Sequence, residues 1–149
     1  MMTPKRPYLL RAVHEWIVAN GKVPYVLVDA TQPCVQVPKE HIVDGNIVLN
    51  IDPNAIDKLQ MGQWLIRFSA RFSRGYFDCI VPISAVMGIY TSDTNEGYFF
   101  DPDDLGEMRF PTTIEALERL EDGLPSDGGG NGGSGGKGKG GPTLTLVKS

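Results

Sequence analysis

The sequence is poor in the groups that build metal sites and disulfide frameworks. It contains only two cysteines, Cys34 and Cys79, and two histidines, His14 and His41. Two thiols are too few for a disulfide scaffold, so the sequence predicts free cysteines and a cytoplasmic location. None of the four residues stands in a CxxC, HxxxH or HExxH spacing, which argues against zinc, and we assign no metal, cofactor or catalytic residue.

Long apolar runs are also missing. No stretch approaches the ~18 apolar residues of a membrane span, and the N-terminus lacks the apolar core of a signal peptide. No glycine-rich phosphate loop stands between a strand and a helix. Cys34 with His41 could in principle supply a nucleophile and a base, but a lone strand cysteine is more often buried, so we predict no enzyme.

Charge is distributed unevenly along the chain. Residues 1–92 carry nine basic and seven acidic side chains, residues 93–127 carry two and eleven, and residues 128–149 carry three and none. The near-neutral body and the acidic segment behind it argue against a general nucleic-acid-binding protein. Because a small β-barrel with a glycine-rich, lysine-bearing tail is compatible with single-stranded RNA or DNA binding, that function is kept as the alternative.

The C-terminal end has a character of its own. Ten of the 14 residues from 128 to 141 are glycine, which predicts a disordered tether with a root-mean-square span of roughly 20 Å. Behind it lies the apolar, β-prone peptide PTLTLVKS, residues 142–149. This peptide either docks on a partner, which the long tether favours, or returns to its own domain as a strand, or has no role.

Residues 4–20 are predicted to form a helix, with Thr3 as N-cap, Pro4 in the first position and Gly21 as the stop signal. Its apolar side chains span roughly 200°, whereas packing on one core needs little more than about 100°. The excess indicates either a second partner, most simply a second copy of the chain, or deep burial in a monomer. The residues predicted for a dimer interface are Tyr8, Leu9, Ala12, Val13 and Trp16.

After the helix, short segments rich in β-branched and aromatic residues alternate with turn signals, which predicts strands. Asp44-Gly45-Asn46 and Ser73-Arg74-Gly75 read as tight turns. The pattern predicts a mainly β fold, a small open barrel or sandwich with one leading helix. The predicted strands are Tyr25–Ala30, Val35–Val37, Ile47–Ile51, Leu65–Phe72, Phe77–Val81, Met87–Thr91 and Tyr98–Phe100.

The Leu65–Phe72 strand is the most informative of these. Alternation places Ile66 and Phe68 on one face and Arg67 and Arg71 on the other. The arginine face is either simply solvated or a basic strip for an anionic or polar ligand. Downstream, residues 114–121 have the spacing of a helix, within an acidic extension predicted to be partly ordered at best.

Several motifs occur together and in order: PYLLRAVHEWIVANG, VLVDATQPCVQVP, DGNIVLNIDPNAI, RFSARF, VPISAVMGIY and PTLTLVK. Together they resemble the stringent starvation protein B (SspB) family of bacterial ClpXP adaptors, through residues 4–101 and again at 141–148. Residues 102–140 do not match closely. Family tails are typically acidic and proline-rich, whereas this tail is glycine-rich and carries lysines.

The resemblance implies a Sm-like open β-barrel, dimerisation through the N-terminal helix and no chemistry of its own. A groove on each subunit of such an adaptor binds the ssrA tag, a peptide added to proteins from stalled ribosomes. The C-terminal peptide of such an adaptor docks on the zinc-binding N-terminal domain of the ClpX unfoldase. The implied division is residues 1–101 for tag binding and dimerisation, 102–127 as the acidic extension, 128–141 as linker and 142–149 as docking peptide.

Matching positions carry the implied sites. The tag-binding residues are Asn50, Ile51, Asp52, Arg67, Phe68, Ser69, Ala70 and Arg71. Arginine suits the acidic middle of the tag, and an apolar pocket would take its aromatic residue. Asp52 stands where a small apolar residue is expected, so its carboxylate either weakens binding of an acidic tag or pairs with an arginine.

The ClpX-docking residues implied in the tail are Pro142, Leu144, Leu146, Val147 and Lys148. Gly141 and Thr145 replace basic residues of the family motif, which predicts weaker docking. Two tails in a dimer offset such a loss, because a flexible linker gives an effective concentration on the order of millimolar.

Overall fold

The computed structural model describes residues 2–106 and 108–123. Its elements follow a mainly β pattern with a leading helix, which confirms the predicted fold class. In chain order they are α1 (Arg6–Ala19), β1 (Pro24–Asp29), β2 (Asn46–Asn50), β3 (Asp57–Met61), β4 (Leu65–Phe72), β5 (Gly75–Pro82), β6 (Val86–Thr91), β7 (Gly97–Phe99) and α2 (Ile114–Glu121), with 3-10 turns at Lys39–His41 and Ile83–Ala85.

The strands form two antiparallel sheets that do not close into a complete barrel. One sheet has the order β2-β1-β6-β7 and the other the order β3-β4-β5. Asp44 and Gly45 both have positive φ, as the predicted tight turn before β2 requires. Pairing of Phe72 with Gly75 confirms the second predicted turn, which joins β4 to β5.

One predicted strand is absent, and one strand was not predicted. Val35–Val37 is not a strand, because this segment touches a sheet only through one bridge between Gln36 and Ile80. The strand β3, by contrast, was not predicted, since its sequence DKLQM is largely polar and one of its residues, Lys58, has a positive φ of 59°. It belongs to a sheet because the turn at Gly62 returns the chain along β4.

The helix α1 begins later than predicted. Thr3 is not the N-cap; that position belongs to Lys5, which makes no side-chain capping bond. Pro7 lies in the first turn, where a missing N–H costs little. The predicted stop is confirmed: Gly21, with φ of 72°, donates its N–H to the carbonyl oxygen of Val18 at 3.0 Å.

One hydrophobic core joins the two sheets and the leading helix. Leu10 and Ile17 of α1 are buried with β1 and β6 residues such as Val26 and Ile89, and with Ile66 of β4. The helix packs against β6, β7 and β1, which belong to the same sheet. In the described part of the chain, no helix is both long enough and apolar enough to cross a membrane.

Candidate functional site

An apolar cleft of about 350 Å³ opens where β2 approaches the end of β4. The 3-10 turn before β2 places the His41 ring 5.5 Å from the ring of Phe72, measured between centroids. The tight turn at Asp44 and Gly45 bonds Val43 to Asn46 and so folds Val43 back onto β2. The cleft is lined by His41, Val43, Asn46, Ile47, Val48, Leu49 and Phe72.

Two strand edges border this cleft. In the described part of the chain, β2 is the outermost strand of its sheet, and its one strand partner is β1. β4 pairs with β3 no further than Ser69, so within the described residues Ala70–Phe72 lacks a strand on that side. Unpaired strand edges beside apolar pockets are the features with which proteins bind extended peptides, through main-chain hydrogen bonds and side-chain pockets.

The predicted residues Asn50, Ile51 and Asp52 lie where β2 ends. Ile51 is fully buried, so its side chain belongs to the core. The Asn50 side chain accepts the N–H of Asp52 at 2.9 Å, and the Asp52 carboxylate accepts the N–H of Asn54 at 3.0 Å. These side-chain bonds turn the chain away from the sheet. Among the described ion pairs none joins Asp52 to an arginine.

Helix α1 also reaches the end of β2. His14 Nε2 lies 2.9 Å from the carbonyl oxygen of Ile51. Burial lowers the pKa of His14, although the bond to this carbonyl and the nearby carboxylates act in the opposite direction. A neutral imidazole that donates to Ile51 therefore fixes the helix against the strand end, and His14 does not serve as a surface charge.

The two faces of β4 separate the remaining predicted residues. Phe68 and Ala70 are buried in the core, so a ligand meets them only through the backbone. Ser69 and Arg71 lie on the outer face, where the Ser69 hydroxyl donates to Asp78 at 2.5 Å and the Arg71 guanidinium stands 5.5 Å from the ring centroid of Tyr76.

Arg67, the third residue on this outer face, is surrounded by acceptors. Its Nε donates to Gln60 on β3 at 2.8 Å. Its terminal nitrogens donate to Glu118 at 3.2 Å and to Asp122 at 2.9 Å, at the end of α2. The acidic extension thus supplies carboxylates to the arginine strand, which the sequence did not predict.

Helix α2 is fixed by buried contacts as well. Leu117 is fully buried with Leu65 and Ile80. The Glu121 carboxylate accepts three consecutive backbone N–H groups, those of residues 63–65, at 2.7 to 3.3 Å. Burial raises the pKa of Glu121, and these bonds oppose the rise. The predicted helix at residues 114–121 is confirmed, with Thr113 as its N-cap.

The cysteine and histidine residues are not assembled into a catalytic pair. Cys34 Sγ lies 3.5 Å from the carbonyl oxygen of Pro111, while His41 contacts Phe72. Burial raises the pKa of Cys79 to about 12, so its thiol stays protonated. No group of three His, Cys, Asp or Glu side chains in residues 2–106 and 108–123 is arranged to hold a metal ion.

The residues predicted for a dimer interface divide into two groups. Leu9 and Val13 are partly buried and pack on the chain's own core. Tyr8 and Trp16 are 51% and 49% exposed, and Ala12 between them is also exposed. One part of the wide apolar arc of the helix therefore packs against the chain's own core, and the other part is exposed to solvent.

None of the residues predicted for tag binding lines the cleft, so sequence reasoning missed the whole of its lining. His41 and Val43 lie between predicted strands, and Phe72 was predicted only as the last residue of the Leu65–Phe72 strand. The turn at Asp44–Asn46 was the available signal, because it predicts that residues before it fold onto β2. The tail residues Pro142, Leu144, Leu146, Val147 and Lys148, and the linker 128–141, lie outside the described residues.

The fold and the cleft define a class: small, open β proteins with a helix across one side and an apolar groove between two free strand edges. The family described as Stringent starvation protein B matches residues 4–148. A relative from Haemophilus influenzae, named Stringent starvation protein B homolog, is 42% identical over 103 residues, which cover 69% of this chain and 69% of the relative. The chain belongs to the stringent starvation protein B family.

Proposed function

We propose that this protein is a cytoplasmic, non-catalytic adaptor that binds ssrA-tagged proteins and delivers them to the ClpXP protease. The proposal is carried by the apolar cleft between two free strand edges, on a chain of the stringent starvation protein B family. A cleft of this kind suits an extended peptide, because the edges offer unpaired N–H and C=O groups and the pocket accepts one large side chain.

The aromatic and acidic residues of the tag can be matched to two positions along β4. An aromatic side chain of the tag enters the cleft at Phe72, while its acidic middle approaches Arg67. Arg67 and Phe72 are five positions apart, about 17 Å along a strand at ~3.4 Å per residue. Phe72 lies on the core-facing side of β4 and Arg67 on the outer side. A tag that contacts both places therefore crosses the strand edge that β3 leaves free at Ala70–Phe72, and an extended peptide of six or seven residues is long enough to do so.

The terminal peptide, residues 142–149, is the proposed second site. Its Leu144, Leu146 and Val147 side chains are the apolar anchors for the zinc-binding domain of ClpX, beside Pro142, and Lys148 adds a positive charge. The glycine-rich residues 128–141 separate this peptide from the cleft. Tag binding and docking on the unfoldase are therefore independent steps.

Replacing Arg67 with alanine is expected to weaken binding of an ssrA-type peptide about three- to tenfold, because a charge-assisted hydrogen bond to the tag is lost. Fluorescence anisotropy with the labelled peptide measures this. Arg74→Ala is the matched control, since Arg74 is an exposed arginine in the turn after β4. A parent protein that ignores the peptide but shifts single-stranded RNA in a gel would contradict the proposal and favour the nucleic-acid alternative.

A homodimer formed through the exposed side of α1 is also proposed. Exposed Tyr8, Ala12 and Trp16 are spaced four residues apart and so form one stripe, as a symmetric helix pair requires. Sedimentation of the parent at micromolar concentration should give twice the 16.3 kDa chain mass. Trp16→Asp should give the monomer, whereas Val48→Asp, an exposed site on β2, should remain dimeric. A monomeric parent overturns this interface.

A further inference from the structure

Arg67 is already in contact with carboxylates of its own chain. Each of its three guanidinium nitrogens donates to a side-chain oxygen: Nε to Gln60, and the other two to Glu118 and Asp122. These bonds use three of the five N–H donors of the guanidinium, and both terminal nitrogens already face a carboxylate. An incoming carboxylate therefore meets an arginine whose positive charge is already partly neutralised.

The contacts that hold α2 differ in strength. Leu117 is fully buried, and Glu121 accepts three backbone N–H groups at the start of β4. The Glu118 and Asp122 side chains, by contrast, are 38% and 42% exposed. Ion pairs this exposed add little to stability, because water and salt screen them. The two pairs can therefore exchange for a ligand while the helix stays in place.

We propose that Glu118 and Asp122 act as an internal ligand of Arg67 and limit the affinity of this protein for acidic peptides. The inference rests on the proposed tag-binding function and adds a regulatory element to the same site. One turn of α2 separates the two carboxylates, and both meet one guanidinium. A tag carboxylate that approaches Arg67 is repelled by this pair of carboxylates or must replace one of them, and either effect lowers the affinity for the tag. The charge of the acidic extension thus lowers the affinity of the adaptor for acidic peptides.

The double substitution E118Q/D122N tests this inference in the full chain. Glutamine and asparagine keep the shape of the two side chains and remove their charge. We expect the variant to bind a labelled ssrA-type peptide about three- to tenfold more tightly than the parent at low salt, with a smaller gain at high salt. For a peptide whose Asp and Glu residues are replaced by Asn and Gln, the gain in affinity from E118Q/D122N should be smaller.

The matched control is E115Q/D103N, which changes the net charge equally at exposed positions, one of them on α2. A second control repeats E118Q/D122N in an Arg67→Ala background, where the gain should vanish. A gain that persists there, or that the control variant shares, reflects general electrostatics and overturns the inference. Equal binding by the parent and E118Q/D122N overturns it as well, while tag binding stands. No binding by any variant overturns both proposals.

Hydrogen exchange of the peptide complex gives a readout independent of affinity. Amides of residues 114–121 should remain protected when the peptide is bound, because Leu117 and Glu121 still hold the helix. Loss of protection throughout α2 on peptide binding contradicts the proposed exchange of side-chain pairs.

Discussion

Replacement of Arg6 with alanine is expected to lower the free energy of unfolding by about 3–5 kcal/mol, the cost of breaking a buried charge pair. Arg6 is 3% exposed, and its guanidinium lies 2.6 Å from the carboxylate of Asp104. It also donates to backbone carbonyl oxygens of Val86 at 3.1 Å and Asp101 at 2.9 Å. Alanine leaves these buried acceptors without partners and Asp104 without its counter-charge.

Urea denaturation of the full chain measures this effect. Arg6→Lys keeps the charge but loses the planar fork that reaches several acceptors, so an intermediate loss is expected. Lys22→Ala is the control, because its ion pair with Asp93 is about half exposed and should contribute little. If Arg6→Ala unfolds at the parent's urea concentration, the buried network does not hold α1 to the sheets.

Deletion of residues 142–149 is expected to abolish stimulation of ClpXP degradation and to leave tag affinity unchanged. The reason is that the cleft and the proposed docking peptide lie in separate parts of the chain, with the glycine-rich residues between them. Degradation of a tagged fluorescent protein measures delivery, and anisotropy measures tag binding in the same preparation.

A point variant separates loss of the anchors from loss of chain length. L144S/V147S keeps the tether and its charge and removes two apolar anchors, so it should lose stimulation as the deletion does. T143S/T145S is the matched control and should stimulate normally. Stimulation that persists after deletion of the peptide shows that delivery uses another surface.

Local signals predicted most of the fold. The limits of β4 are those predicted, because period-2 alternation is clear from Leu65 to Phe72. The stop at Gly21 and the turn at Asp44–Asn46 were predictable because a positive φ strongly favours glycine and a few other residues. β3 was not predictable, since a polar strand such as Asp57–Met61 is recognised only by its partner.

Local signals also failed where a side chain is defined by distant contacts. The predicted N-cap, Thr3, was wrong. The start of α1 is instead held by Arg6, whose side chain bonds to the backbone of residues 77 and 95 positions further along the chain. His14 and Arg11 are polar residues of the helix with no local signal for a buried partner, yet their side chains bond to the backbone carbonyls of Ile51 and Met61.

The sequence by itself determined the mainly β class, the leading helix, the arginine row on β4 and the contrast between body and tail. These depend on periodicity, turn chemistry and composition, which neighbouring residues carry. Only the tertiary structure decided that a cleft opens between the edges of β2 and β4, and that Arg67 faces Glu118 and Asp122 across 51 and 55 residues. Contacts at such separations arise from how the sheets pack, and no local pattern encodes them.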